Sequence, residues 1–298
     1  MESWVRGVNC NLCGSNKVYK KFTLQEFEVL KCKDCSLTFL SHIPGEDELK
    51  NFYSSDYYLK REEYYFNNIV ASPEQGKRDE NIETFSRGLK KLNSFKPEKG
   101  RILDVGCGPG IFLHMARTDG WDVSGIDISP YAINYAREKF GLDVHNDGQL
   151  RRVNFSPGSF EVITLWDSLE HLSDPLDQLK EAHRLLKDGG LIMLDLPNES
   201  SLLRVMAQLL YFITRGKFTY PVRKLYHRYH LYYFSLHAVQ ILLEMGGFEI
   251  LSVERKTIPI VKARGSFPEK VLVKMFSYLE RGLGKEYELL VIARKMSR

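Results

Sequence analysis

The chain has 298 residues, 43% hydrophobic and 27% charged, with a formal net charge of +4. That is room for one large folded domain and a small module, in a composition that excludes a disordered or fibrous chain. The charge is too slight to argue for nucleic acid by itself. No run reaches transmembrane length, and Met1–Gly7 lacks the apolar stretch of a signal peptide, so a cytoplasmic protein is expected.

The first element is a cysteine module. Four of the five cysteines fall as Cys10-x-x-Cys13 and Cys32-x-x-Cys35. That spacing is a zinc-ribbon pattern, and Gly14 and Asp34 suit the turns around a metal. The bland alternative is two unrelated thiol pairs. The module is expected over residues 1–45, with short strands at 17–22, 27–31 and 37–40. So small a unit buries little core, so a bound zinc must supply folding energy. Ribbons bind nucleic acid or protein in some settings, but inside an enzyme a structural role is favoured.

Residues 46–97 read as an aromatic connector and a helix. The connector holds Phe52, Tyr53, Tyr57, Tyr58, Tyr64, Tyr65 and Phe66, rings suited to packing between modules or folding over a site. Residues 74–95 place Ile82, Phe85, Leu89 and Leu92 on one helical face, and Pro97 and Gly100 end the helix.

From residue 98 to 298 the pattern alternates strand and helix. Strands are expected at 101–105, 121–127, 142–145, 160–165 and 191–196, with helices at 111–118, 130–140 and 175–187. This rhythm demands parallel strands with helices on both faces. Between the first strand and its helix lies Gly106-Cys107-Gly108-Pro109-Gly110, preceded by Asp104. Glycines there allow positive φ and close approach of a ligand to backbone. The spacing is not that of a pyrophosphate-binding turn, and Pro109 removes a donor that a phosphate would need. Asp104 suits a cationic amino group instead. Asp127, at the tip of the second strand, suits the two ribose hydroxyls, and Ile128 follows it. The pair therefore reads as an adenosine site with an amino acid attached. Cys107 is a small residue in the turn rather than a nucleophile.

These residues carry a resemblance. Leu103 to Gly110 resembles the first motif of class I S-adenosylmethionine (SAM)-dependent methyltransferases, and Asp127 resembles their ribose-binding acid. Phe160 to Pro175 is similar to their fourth-strand segment, and Leu185 to Gly190 to the turn into their fifth strand. The Cys-rich front end is similar to that of bacterial methyltransferases of glycan and secondary-metabolite pathways. The resemblance implies an α/β, Rossmann-like sheet of seven strands, mostly parallel with the last antiparallel. It implies SAM held by Asp104, Gly106, Gly108, Gly110, Asp127 and Ile128. Asp147 stands where the family often places an acid on the adenine amino group, though a plain turn aspartate is an equal reading. Trp166 is placed to support the sulfonium or to close the pocket.

Oxygen and nitrogen acceptors shed a proton, so a general base helps. Candidates are Asp167, Glu170, His171 and His230, with His171 slightly ahead of His230. Trp166-Asp167-Ser168 stands where base N-methyltransferases carry an Asn/Asp-Pro-Pro-aromatic turn, so nucleic-acid bases are disfavoured.

An insertion at 199–230 interrupts the pattern. Ser201 to Arg228 holds six basic residues and no acid, so the rest of the chain is net negative. It is also strongly apolar, from Leu202 to Ile213. A peripheral membrane contact, a lid and an ordinary core helix all stay open. After it, a helix at 236–245, a strand at 248–255, a helix at 268–282 and a strand at 287–293 complete the chain.

The sequence thus predicts a zinc-containing, SAM-dependent methyltransferase acting on a small-molecule or lipid- or sugar-linked acceptor by O-methylation. The alternatives are a non-catalytic SAM-binding or zinc-ribbon interaction protein and an NAD-dependent oxidoreductase.

Overall fold

A computed structural model describes residues 3–5, 7–24, 27–53, 80–257, 271, 275 and 278–297. Its strands are β1 Ser3–Trp4, β2 Val18–Leu24, β3 Phe27–Cys32, β4 Thr38–Leu40, β5 Arg101–Val105, β6 Asp122–Asp127 and β7 Asp143–Asn146. They continue with β8 Phe160–Trp166, β9 Leu186–Pro197, β10 Tyr232–Tyr233, β11 Phe248–Lys256 and β12 Glu288–Lys295.

Seven of them form one sheet in the order β11-β12-β9-β8-β5-β6-β7. The pairs β5–β6, β6–β7, β5–β8 and β8–β9 are parallel. β12 lies antiparallel between β9 and β11. This is the expected Rossmann-like arrangement. Ile102, Leu103, Val162 and Ile163 are fully buried because helices cover both faces of the parallel strands. The chain runs outward from β5 to β7, then returns to lay β8 on the other side of β5. That reversal opens a crevice at the carboxyl ends of β5 and β8, the usual ligand position in such sheets.

Two boundaries moved. The helix expected at 175–187 ends at Leu185, and the strand expected at 191–196 begins at Leu186. Leu186 pairs with Phe160 ahead of an irregularity in the β8–β9 ladder, so its main chain is committed to the sheet. The helix expected at 74–95 is described from Glu80 to Phe95. Tyr57, Tyr58, Tyr64, Tyr65 and Phe66 lie outside the described residues, as does most of the helix expected at 268–282.

The second sheet holds two short strands that the sequence reading did not assign, β1 and β10. Its order is β1-β2-β3-β4-β10, so the Cys-rich module borrows a fifth strand from beyond the insertion. Tyr232 pairs with Phe39 and Tyr233 with Thr38. Val18, Leu30 and Phe39 of the module share one apolar core with Tyr226, Leu231, Tyr232 and Phe234.

The insertion forms helices Leu202–Ile213 and Tyr220–Leu225. One of its six basic residues turns inward: Arg204 is 1% exposed and lies over the rings of Tyr226, Tyr233 and Tyr287. Its Nη1 lies 3.4 Å from Glu199, which also takes Lys21 of β2 at 2.6 Å. Removing one partner of such a buried set strands the others, so these charges fix the insertion to the module.

Candidate active site

The glycine turn sits in the crevice. Gly106 and Cys107 donate their amides to the carbonyl of Ile126, at 2.8 and 3.0 Å, which ties the turn to β6. Ser168 donates to the carbonyl of Val105 at 2.7 Å from the end of β8. Gly108 and Gly110 both have positive φ, 51° and 77°. A Cβ at Gly110 would meet Leu142 at 2.4 Å, whereas one at Gly108 would meet nothing within 4 Å. Gly110 is thus required by packing, and Gly108 faces the open side where a ligand would lie.

Both expected acids point into this region. Asp104 is buried and accepts from Thr164 Oγ1 at 2.7 Å. Burial pushes its carboxyl up to about 7; the Thr164 hydrogen bond opposes the rise and the charge of Asp127 adds to it. Burial also raises Asp127, against the amides of Ser129 and Gly108, which donate to it at 2.8 Å each. An acid held this way gains from a cationic or hydroxyl-bearing ligand, which are the donors of an adenosine that carries an amino acid. Burial raises the Cys107 thiol well above its ordinary range, consistent with a packing role.

Asn146 donates to the carbonyls of Asp127 and Ile128, at 3.0 Å each, and so braces the loop after β6. Asp147 accepts from the amide of Gln149 at 2.9 Å, a local turn bond. The Gly148 backbone packs on Ile128, bringing the Asp147 loop beside the candidate adenosine site. Trp166, Phe85 and Phe112 form a three-ring cluster, with the indole 5.1 and 5.0 Å from the two phenylalanine centroids. Its outer edge meets Gly88 of helix Glu80–Phe95 so closely that a Cβ there would come within 2.3 Å. The indole is therefore a wall between helix and sheet, and its Nε1 is buried with no acceptor among the described residues.

The two candidate bases come together. His171 ends a short turn after β8, and His230 precedes β10, yet their rings lie 4.7 Å apart, edge to face. His171 Nδ1 is 2.8 Å from the carbonyl of Tyr229. A carbonyl only accepts, so in the neutral ring that nitrogen carries the hydrogen and Nε2 keeps its lone pair. Phe52 of the connector stacks on Tyr229 at 3.7 Å, covering the segment that orients His171. Ligand atoms of Glu170, His171 and His230 lie within 4.8 Å of one another, so the same cluster could hold a cation. Asp167 adopts φ 46°, and its amide donates to the carbonyl of Asp195.

Several supporting residues had no sequence signal. Thr164 and Ser168 hold Asp104 and the glycine turn. Lys256 pairs with Asp195 at 2.7 Å and lies 3.6 Å from Glu288, all three buried. Only the β11-β12-β9 order brings these three together.

The four cysteines of the module converge as expected. Cys10 and Cys35 sulfurs lie 3.4 Å apart, Cys13 and Cys32 sulfurs 3.6 Å apart, and all four within 4.8 Å. Zinc–sulfur bonds of about 2.3 Å give a tetrahedron with edges of about 3.8 Å, so the set fits zinc and is far too open for disulfides at about 2.0 Å. The hydrogen bond shared by the Cys10 and Cys35 thiols pulls their pKa values apart, Cys10 down to about 5 and Cys35 up, with burial adding to the rise of Cys35. Crowded thiols that share protons in this way are ready to exchange them for a cation.

Sheet order, glycine turn and paired acids together define a class I SAM-dependent methyltransferase architecture. The chain belongs to the methyltransferase domain family, which matches residues 77–253. The cysteine module lies outside that match. Over 105 residues the chain is 31% identical to a ubiquinone biosynthesis O-methyltransferase of Pseudomonas aeruginosa, covering 34% of this chain and 45% of that protein. Over 131 residues it is 32% identical to the mitochondrial ubiquinone biosynthesis O-methyltransferase of Schizosaccharomyces pombe, covering 42% and 47%. The chain spans about half the length of these relatives. A Listeria monocytogenes structure described as a SAM-dependent methyltransferase superposes with a TM-score of 0.51 at 20% identity, covering 72% of this chain and all of that one. That likeness is one of fold.

Proposed function

We propose that the protein transfers the methyl group of SAM to a hydroxyl of a small, lipid-linked or sugar-linked acceptor, with His171 taking the proton. The convergence of His171 and His230, with His171 Nδ1 tied to Tyr229, carries this reading. The ubiquinone-biosynthesis relatives favour a phenolic hydroxyl as the first acceptor to test. Bound SAM supplies an electrophilic methyl group. The protein's part is to hold the acceptor in line, exclude water and receive the hydroxyl proton at Nε2 of His171. Asp127 would hold the ribose, Asp104 the amino group, and Gly106, Gly108, Gly110 and Ile128 the surrounding walls. Asp147 would meet the adenine, and Trp166 would close the pocket against helix Glu80–Phe95. Cys10, Cys13, Cys32 and Cys35 would hold a structural zinc. The chain then divides into a ribbon (1–45), a connector and helix (46–97) and a methyltransferase domain (98–298).

Calorimetry with S-adenosylhomocysteine and NAD tests the reading. S-adenosylhomocysteine should bind and NAD should not. Asp127→Ala should weaken S-adenosylhomocysteine by about 1–3 kcal/mol through lost hydrogen bonds. Unchanged affinity would remove Asp127 from the site. Binding without methylation of any phenol, glycan or lipid acceptor would favour a non-catalytic binding module.

Asp104 makes a second test. Its carboxyl titrates at about 7, so at pH 6 it is mostly neutral and must lose a proton before it can meet an ammonium group. At pH 8 the carboxylate is already formed. S-adenosylhomocysteine affinity should therefore rise about tenfold from pH 6 to pH 8, with proton release on the acid side. In Asp104→Asn that slope should vanish; a slope retained in the variant would assign it elsewhere.

We also read the insertion as a membrane-peripheral face. No helix among the described residues is long and apolar enough to cross a membrane. Yet Leu209, Phe212, Ile213, Phe218 and Tyr220 are exposed, Ile213 by 68%, beside exposed Arg215, Lys217, Arg223 and Lys224. An apolar face ringed by cations fits an anionic lipid interface. The protein should float with phosphatidylglycerol vesicles at low salt and be released at high salt. No flotation at either salt would return the insertion to a lid or core role.

A further inference from the structure

We infer that the cysteine module is a positioning element of the catalytic histidines, and that Tyr232 is the residue through which it acts. The inference rests on the methyltransferase reading only where turnover is measured.

Tyr232 joins three pieces of the molecule. Its backbone, in β10, pairs with Phe39 of the module's β4. Its hydroxyl accepts from Asn11 Nδ2 at 3.0 Å, and Asn11 lies inside the first knuckle, between Cys10 and Cys13. The same hydroxyl donates to the carbonyl of Ser173 at 2.9 Å, in the loop that follows His171. One buried side chain thus ties a metal knuckle to the loop of one candidate base, two residues after the other candidate base.

The neighbouring backbone repeats the connection. The Leu40 amide donates to the carbonyl of Leu231 at 3.0 Å, and the Leu231 amide donates to the carbonyl of Glu170 at 2.9 Å. β4 therefore holds the residue after His230, and that residue holds the one before His171. Neither histidine is anchored by the seven-stranded sheet alone. The 4.7 Å spacing of their rings depends on a strand that the module completes. By contrast, the described hydrogen bonds of Asp104, Asp127 and the glycine turn come from β5, β6, β8 and their loops. The module therefore acts on the proton-accepting side of the site and leaves the cofactor side to the sheet.

A misplacement of about 1 Å in a catalytic group can cost up to about 10²-fold in rate. The test uses the full-length protein with Tyr232→Phe, which removes one oxygen, and Asn11→Ala, which alters an exposed side chain. Both should retain zinc and wild-type S-adenosylhomocysteine affinity. Hydrogen exchange should speed up at residues 169–174 and 230–231, and stay unchanged at Asp104–Gly110. With labelled SAM and a panel of small phenols, kcat should fall about tenfold with little change in the KM for SAM. The double variant should be no slower than Tyr232→Phe, because both act through one hydroxyl. Exchange at 169–174 unaltered in both variants, with kcat within about twofold of wild type, would overturn the inference and leave the module a separate structural unit. Failure of the wild type to bind S-adenosylhomocysteine would count against the methyltransferase reading instead, and the exchange result would still decide the coupling.

Discussion

Alanine at His171 should lower turnover by about 10²–10⁴ while leaving S-adenosylhomocysteine affinity close to wild type. The asymmetry follows from geometry. The glycine turn and Asp127 take their described hydrogen bonds from Ile126, Ser168, Ser129 and Gly108, so cofactor affinity should survive loss of the imidazole. His171 Nδ1 lies 2.8 Å from the Tyr229 carbonyl, so in the neutral ring Nε2 is the nitrogen that carries the lone pair. His171→Asn separates proton transfer from positioning. Asparagine can still donate to Tyr229 but accepts no proton, so it should be as slow as alanine. Recovery by asparagine would show that His171 orients rather than deprotonates. His230→Ala should also be slow, since its ring lies against His171, but His230→Asn should recover in part if it only supports that ring. Near-wild-type turnover in both alanine variants would mean that neither histidine is the base.

The sheet, the turn and the two acids were legible because each rests on local pattern. Alternating strand and helix demand parallel order, and Gly106 to Gly110 followed by Asp127 marks one strand-turn-helix unit. The convergence of the four cysteines was legible for the same reason, since two Cys-x-x-Cys spacings mark two turns that can meet. What was hidden depends on residues far apart in the chain. β10 is only Tyr232–Tyr233, too short to show a strand period, and it exists because β4 lacks a partner on that edge. Arg204 looks like one more solvated cation in a basic stretch, yet Glu199, Lys21 and three tyrosine rings draw it inside. Trp166 reads as a pocket residue by position, and its contacts with Phe85 and Gly88 follow from how helix Glu80–Phe95 crosses the sheet. The pairing of His171 with His230 could be suspected from their separate placements, but their approach needed β10.

Serine at Cys10 or Cys32 should abolish stoichiometric zinc and unfold the cysteine module. A four-thiolate zinc site contributes an apparent 10–16 kcal/mol in small zinc domains, roughly the entire stability of an ordinary domain of about 5–15 kcal/mol. Among the described residues the module has little else: four strands of its own, of which β1 is two residues long, the borrowed β10, and a core shared with the insertion and the large sheet. Losing one ligand also leaves the remaining sulfurs crowded within 4.8 Å with no cation to hold them. Hydrogen-exchange protection over residues 10–40 should disappear, and thermal melting should show an early step absent from the wild type. The core on one face of the seven-stranded sheet, with Ile102, Leu113, Ile133 and Val162, holds no residue of the module, so S-adenosylhomocysteine should still bind. Cys107→Ser is the control, because that thiol lies buried in the methyltransferase core and should leave zinc content unchanged. Wild-type protein purified reduced and without chelator should contain one zinc. A content well below one, with the module still protected from exchange, would show that its packing rather than a metal holds it together.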